Sequence, residues 1–377
     1  MRAYVGALTG DPAAGNVGIG LTVLGVEPGS GALESIQTLS DLHSPTYLAV
    51  HPSLPVLYAG ERHWPPMGAQ SPGSGSITTL AIDPQSGYVR VQARRPSGGP
   101  THLSVHPGGR YVVAAMNRVL QVGAFPLEAD GSVGEPSAII QHTGRGPRSP
   151  AQDRAFPHSC WFDRSGTRVL CCDLGLDRIM LYDFDPATGS LQAGVRPYAQ
   201  LSSGAGPRHL ALHPNDHVVY VLNELDSTIS VFDYTAQDGR MAILQTLSSL
   251  PADFAGESAA AQILVHPSGR SVYASNRGHD SIATFKVDQA TGRLHAPTYV
   301  SSGGQRPHNF TMDAAGTLLL VANQRSGSVV SFSIDSDNGA LAATGAQASI
   351  PGAVCVVLSS DSAATGSATH QASAPTR

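Results

Sequence analysis

The sequence predicts an all-β protein: a seven-bladed β-propeller with four antiparallel strands per blade, closed by strands from both termini. Three observations predict it. An acidic residue followed by a Gly and an apolar residue recurs seven times. A Pro, then a His-Pro or Asp anchor, then a β-rich strand recurs six times. The missing seventh copy of that anchor is split between the chain ends. A fixed period of this length marks a repeat architecture.

The turn marker comes first along the chain. Its copies are Glu27…Gly31-Ala32-Leu33, Asp83…Gly87-Tyr88-Val89, Glu128…Gly131-Ser132-Val133 and Asp185…Gly189-Ser190-Leu191, then Asp233…Gly239-Arg240-Met241, Asp288…Gly292-Arg293-Leu294 and Asp335…Gly339-Ala340-Leu341. Gly supplies the positive φ of a hairpin turn, and the acid accepts backbone N–H groups within it. The anchors are His51, His106, Asp163, His213, His266 and Asp313. The seventh unit takes Tyr4-Val5-Gly6 as its second strand and 350–357 as its first. Such closure removes sheet edges that would invite aggregation. In the clearest copy the strands are expected near 208–213, 218–223, 227–234 and 241–249. The propeller is expected to occupy 1–358 as one domain. The stretch 63–75 reads as a surface insert. The Ser/Ala/Thr-rich stretch 359–377 reads as a disordered tail.

Composition and length fit one closed repeat domain. The chain has 377 residues, 41 of them Gly and 27 Pro, and only 14% are charged. A net charge of −5 argues against nucleic acid as the partner. No apolar run reaches the ~18 residues of a membrane span. The segment Met1-Arg2-Ala3-Tyr4-Val5-Gly6 starts like a strand rather than a signal peptide. With Cys160, Cys171, Cys172 and Cys355 at no metal-type spacing, a cytoplasmic protein with reduced thiols is expected. No dinucleotide fingerprint, P-loop or nucleophile elbow is present, so no cofactor and no metal are expected. The expected assembly is a monomer or weak homodimer.

Propeller geometry sorts residues by face. Strand one of a blade and the antiparallel strand two place the start of one and the end of the other on the same rim. That rim gathers Thr46, Tyr47, Thr101, His102, His158, Arg208, His209, His308 and Asn309 from strand-one starts. Strand-two ends add Glu61, Arg62, Asn117, Arg118, Asp173, Asn223, Glu224, Asn276, Arg277, Asn323, Gln324 and Arg325. Arg154 and Arg306 lie just before His158 and His308. Arginine binds carboxylate and phosphate in a bidentate fork, so the expected ligand is a small, oxygen-rich anion. Glu224 also reads as an inter-blade ion pair with Arg208. Asp173 and Asp177 read as loop caps, the four anchor histidines as turn residues, and Tyr4, Tyr220 and Tyr273 as strand packing.

Several stretches carry a resemblance: Ala155-Phe156-Pro157-His158-Ser159, Asp173-Leu174-Gly175-Leu176-Asp177-Arg178, Gly206-Pro207-Arg208-His209, Asn223-Glu224-Leu225, Ser275-Asn276-Arg277-Gly278-His279-Asp280-Ser281 and Val321-Ala322-Asn323-Gln324. Through them the chain resembles the lactonase-type seven-bladed propeller family from about residue 2 to about 358. That family includes bacterial 6-phosphogluconolactonases and fungal carboxymuconate cyclases. The resemblance implies hydrolysis of a sugar lactone, foremost 6-phosphogluconolactone to 6-phosphogluconate in the pentose phosphate pathway. It implies His158, Arg208, Glu224 and Arg277 as catalytic residues. Either Glu224 or His158 would be the base for water, with Arg208 on the oxyanion and Arg277 and Arg154 on the phosphate. Asn223, Asn276 and Asn323 would bind hydroxyls, with His209 and His308 completing the binding set. The pattern departs at Met116-Asn117-Arg118 and at Gly60-Glu61-Arg62-His63. A carboxymuconate cyclase, another lactone-acting enzyme, or a non-enzymatic binding propeller are the alternatives.

Overall fold

A computed structural model describes residues 1–10, 17–63 and 74–359. Both the expected insert, for the most part, and the expected tail lie outside these residues. Among the described residues, 28 strands form seven four-stranded antiparallel sheets. Among these residues no helix is long and apolar enough to cross a membrane.

Blade 1 is built from both chain ends. Its innermost strand, Ala353–Ser359, pairs antiparallel with Arg2–Ala7, with Tyr4 opposite Val357. Leu21–Val26 and Leu33–Leu39 complete it. The inner strands of the next blades are Pro45–Val50, His102–Val105, Pro157–Phe162, Pro207–Leu212, Ala259–Val265 and Pro307–Met312. Each contacts its neighbours, and Ala353–Ser359 touches both Pro307–Met312 and Pro45–Val50, so the ring closes. Blade 5 runs Pro207–Leu212, Val218–Asn223, Thr228–Thr235 and Arg240–Ser248, within a residue of expectation.

The local chemistry explains the elements. Second strands such as Val218–Asn223 (VVYVLN) are β-branched and apolar and are buried throughout, because a blade packs on both faces. Apolar wedges between adjacent blades form the core; Tyr220, Val231, Val272 and Phe285 join blades 5 and 6. All seven turn glycines have φ between +68° and +82°. At Asp83, Asp288 and Asp335 the carboxylate accepts N–H groups of its own turn.

Two sets of side chains fasten a blade to the next at five of the seven joints. Tyr4, Tyr58, Tyr220 and Tyr273 donate their hydroxyls to the carbonyls of Gly87, Gly131, Gly292 and Gly339 in the following blade. His51, His106, His213 and His266 reach the carbonyls of Gly109, Gly166, Gly269 and Gly316 in the same way. The anchor histidines and tyrosines are therefore turn and packing residues, as the sequence implies, and their polar ends also tie the ring. Gly6 permits one close approach: a Cβ there would sit 2.0 Å from the Pro45 carbonyl oxygen of blade 2.

Candidate active site

The site is made by a recurring irregularity at the start of the inner strands. In four blades the strand opens with a Pro paired to a residue at or near the end of strand two, and the register then slips by one. Pro45 faces Glu61, Pro157 faces Asp173, Pro207 faces Asn223 and Pro307 faces Asn323. Pro fits there because it has no N–H to give the ladder. The next residue is the extra member of a β-bulge, a device that re-aims a side chain. Those residues are Thr46, His158, Arg208 and His308. All four line one cavity of about 410 Å3 at the mouth of the channel, to which five blades contribute an inner-strand residue and blade 3 contributes Thr101, directly before its inner strand. Blade 6 contributes Arg277 from its second strand.

Arg208 is the hub. It is 3% exposed. Its Nη1 donates to the Ala261 carbonyl and to His209 Nε2. Its Nη2 donates to His308 Nε2 at 3.3 Å. Its Nε lies 2.8 Å from Glu224 Oε2, off the line of a directed hydrogen bond, so this contact is ionic. The imidazole roles follow. His308 Nδ1 donates to the Val354 carbonyl, and His209 Nδ1 to Gln262 Oε1, leaving each Nε2 to accept from Arg208.

Glu224 follows strand Val218–Asn223 and joins two blades. Besides Arg208 of its own blade, it pairs through Oε1 with Arg277 Nη2 of blade 6 at 2.9 Å. His158 Nε2 of blade 4 stands 3.9 Å from Oε2. The four residues expected to be catalytic thus converge on one carboxylate. The expected inter-blade ion pair exists, but its inter-blade partner is Arg277, not Arg208.

Electrostatics follow from burial and from these arginines. Burial pushes the Glu224 pKa up, but Arg277 and Arg208 together outweigh it and hold the carboxyl below its ordinary value. Burial, and then Arg208, holds His102, His158, His209 and His308 well below the ordinary imidazole value, so all four are neutral at pH 7. Burial and Arg277 bring Arg208 down to about 10, still protonated. His158 Nδ1 is buried without a partner.

Three expected binders are placed elsewhere. Asn223, Asn276 and Asn323 are fully buried and do not line the cavity. Their amides hold the structure: Asn223 donates to Thr228 and Ser230, Asn276 to the Ser249 carbonyl, and Asn323 to the Ser302 carbonyl. A strand-end side chain alternates with its neighbour, so Glu224 faces in where Asn223 faces its own blade. Arg154 is exposed and does not line the cavity either. His209 and His308 do line it, as do Arg62, Asn117, Asn309 and Gln324 from the expected rim. Arg306 also lines it, although its position before His308 gave it no assigned role.

Glu61 turns away from the cavity. Its carboxylate serves Arg94, Ser76, Thr78 and the His43 N–H. Asp177 caps a loop by accepting the Gly204 and Gly206 N–H groups. Asp173 does more than cap. It accepts the Phe156 N–H and pairs with His142 Nδ1 at 2.6 Å, while Tyr182 lies 2.6 Å from His142 Nε2. This buried chain secures the segment that carries His158. The apolar walls, Leu8, Phe156, Leu174, Leu225 and Val354, carried no rim signal in the sequence. Among the described residues, no group of three or more His, Cys, Asp or Glu side chains is placed to hold a metal ion.

Comparison with known proteins gives a concordant result. The profile of the family described as lactonase, 7-bladed beta-propeller, matches residues 2–358. A 6-phosphogluconolactonase of Bacillus subtilis is 33% identical over 328 residues, 86% of this chain and 90% of that protein. A 6-phosphogluconolactonase of Serratia proteamaculans is 33% identical over 316 residues, 83% and 87% of the two chains. Among solved structures, a periplasmic gluconolactonase of Pseudomonas aeruginosa superposes with a TM-score of 0.85 at 26% identity, covering 94% of this chain and 98% of that one.

Proposed function

The chain belongs to the lactonase seven-bladed β-propeller family, and from that premise we propose that it hydrolyses 6-phosphogluconolactone to 6-phosphogluconate. One observation carries the reading. A single carboxylate, Glu224, is clamped between Arg208 and Arg277 beside neutral His158, on the wall of a cavity of sugar size.

The reaction needs a base for water, donors for the oxyanion and an acid for the leaving oxygen. His158 is the base through Nε2: it is neutral and faces both the cavity and Glu224. Water attacks the lactone carbonyl carbon as His158 takes its proton. Glu224 supports the imidazolium so formed, at 3.9 Å. Proton transfer of this kind contributes about 100- to 10,000-fold. Arg277 donates through Nε to the Ala259 carbonyl and through Nη2 to the Ala260 carbonyl, leaving Nη1 for the oxyanion. Arg208 has one Nη2 proton left for the same purpose. A donor so placed is worth about 3 kcal/mol. The tetrahedral intermediate then collapses, the ring C–O bond breaks, and the ring oxygen takes the proton back from His158. The product is the open hydroxy acid.

One chain completes the cavity, so either a monomer or a weak homodimer would be active. All four cysteines are buried free thiols, which supports the cytoplasm as its compartment. A second reading, hydrolysis of unphosphorylated gluconolactone, is favoured by the printed name of the Pseudomonas aeruginosa neighbour. The test is hydrolysis of freshly generated 6-phosphoglucono-δ-lactone and of glucono-δ-lactone, each corrected for spontaneous opening. A clear preference for the phosphorylated lactone is expected. Preference for the plain lactone would replace the first reading with the second, and activity on neither would overturn both.

A further inference from the structure

We propose that Arg306 is the specificity-determining residue of this site, the guanidinium that reads a phosphate on the substrate remote from the lactone carbonyl. The inference rests on the lactonase reading above and names the residue that sets its substrate class.

The backbone of Arg306 is held in a conformation that a side-chain-bearing residue avoids. Its φ is +57°, the left-handed region that costs an L-residue steric energy. Two fixed contacts keep it there. Its N–H donates to Asp280 Oδ1 at 2.8 Å, and its carbonyl accepts the Gln324 N–H at 3.0 Å. Ser44 and Gly206 take the same left-handed φ before Pro45 and Pro207, so the conformation belongs to the repeat; what is particular to this blade is the arginine it carries. Asp280 belongs to the turn that follows Arg277 and also accepts the Gly278 N–H through the same oxygen. One carboxylate therefore sets the spacing between the Arg277 turn and Arg306.

What this backbone presents is a guanidinium with nothing in the protein to bind. Among the described residues, the Arg306 side chain makes no hydrogen bond and no ion pair, yet it lines the cavity. Arg208, by contrast, is almost fully engaged. Arg306 lies in the electrostatic range of Arg277, Glu224, Arg325 and Asp280. With Arg208, Arg277, Arg306 and Arg325 set against two carboxylates, Glu224 and Asp280, this sector still carries surplus positive charge. A phosphate dianion matches it in charge and in the fork geometry of arginine. A neutral hydroxyl in the same place would not.

The test compares Arg306→Gln and Arg306→Gly with the unaltered enzyme on 6-phosphoglucono-δ-lactone and glucono-δ-lactone. Loss of a charge-assisted contact should lower kcat/KM for the phosphorylated lactone by about 10- to 100-fold, mostly through KM. The value for the plain lactone should stay within about threefold. Arg306→Gly relieves the strained φ, so it should unfold no earlier than the parent. That outcome separates a ligand-reading role from a structural one. An Arg62→Gln variant, which changes a cavity-lining arginine two blades away, serves as the comparison. Equal loss on both lactones, no loss, or loss of phosphate preference only in Arg62→Gln would each overturn the assignment. Equal rates of the unaltered enzyme on the two lactones would overturn it while leaving the lactonase reading in place. If the enzyme opens neither lactone, the lactonase reading fails, and calorimetry with 6-phosphogluconate against gluconate decides Arg306 alone. Tighter phosphogluconate binding that Arg306→Gln abolishes would support it, and equal affinities would overturn it.

Discussion

Arg208 is the extra residue of the bulge opposite Asn223, and Glu224 is the residue after Asn223, so the slip that frees one side chain brings it 2.8 Å from the other. Neither side chain would reach the cavity from a regular ladder, because both belong to the pairing of one strand end. The same slip at Pro157 frees His158, and the end of strand Ser271–Arg277 supplies the third contact, Arg277. The charge of Glu224 is what allows two buried guanidiniums to stand side by side.

Glu224→Gln keeps the shape and removes that charge. The loss should lower kcat by about 100-fold or more, because the imidazolium formed at His158 loses its counter-ion. Stability should fall by no more than about 3 kcal/mol, since Glu224 is partly open to solvent. Steady-state kinetics on a purified, folded variant checks this. Undiminished turnover would remove Glu224 from the mechanism.

Arg208→Lys tests whether charge or geometry matters at the hub. An ammonium is a point charge and cannot reach Glu224, the Ala261 carbonyl, His209 and His308 together. The variant should lose about 100-fold in kcat/KM and about 2–4 kcal/mol of stability, although the net charge is unchanged. Kinetics together with denaturant unfolding measures both. Near-normal activity in the lysine variant would mean that Arg208 acts by charge alone.

The fold and most of the rim were legible because they depend on period and on strand direction. The seven Gly turns could be read one by one, as could the split blade at Tyr4 and Val357. Depth was not legible. Asn223 and Glu224 are adjacent and face opposite ways by strand alternation, but the register that decides which of them faces the cavity is set by the bulge at Arg208. Arg154 and Arg306 both precede a Pro-His pair. Arg306 directly precedes its Pro, in a backbone held by Asp280, whereas Arg154 lies three residues ahead of Pro157 on an exposed loop. The bulges were a missed signal: a Pro opening an inner strand, followed by a polar residue, marks Thr46, His158, Arg208 and His308 together.

Stability should depend on pH through the neutral histidines. The folded pKa values of His102, His158, His209 and His308 lie below the unfolded value of about 6.5. Above pH 6.5 neither state binds these protons and the stability is complete. As pH falls below 6.5 the unfolded chain takes them up first, so stability declines until each folded value is passed. The slope is about 1.4 kcal/mol per pH unit for each histidine. Glu224 acts in a lower window: its depressed pKa stabilises the fold above its unfolded value of about 4.5, and that stability is lost as pH falls through the folded value. Urea midpoints from pH 8 to pH 5.5 should fall steadily below 6.5. A flat profile over that range would contradict the neutral cluster.

The buried chain Asp173, His142, Tyr182 makes a distinction between stabilising the blade and placing His158. Tyr182 touches only the far end of the chain, donating to His142 Nε2, while Asp173 holds both His142 and the Phe156 N–H two residues before His158. Tyr182→Phe leaves a buried imidazole nitrogen without a partner and should cost about 1–3 kcal/mol, with kcat unchanged because Phe156 stays anchored. In Asp173→Asn the amide can keep the Phe156 N–H only by turning its NH2 group to His142, which demands a change of imidazole tautomer; if its oxygen instead faces His142, the NH2 group meets the Phe156 N–H donor to donor. Either way the hold on the start of strand Pro157–Phe162 is weakened. That variant should lose stability and also about tenfold in kcat, since small misplacements of a reacting group are costly. Thermal unfolding and steady-state kinetics on the two variants separate the effects. If Tyr182→Phe lowered kcat as much as Asp173→Asn, the anchor at Phe156 would not be the cause, and the chain would have to act on His158 through the packing of the whole blade.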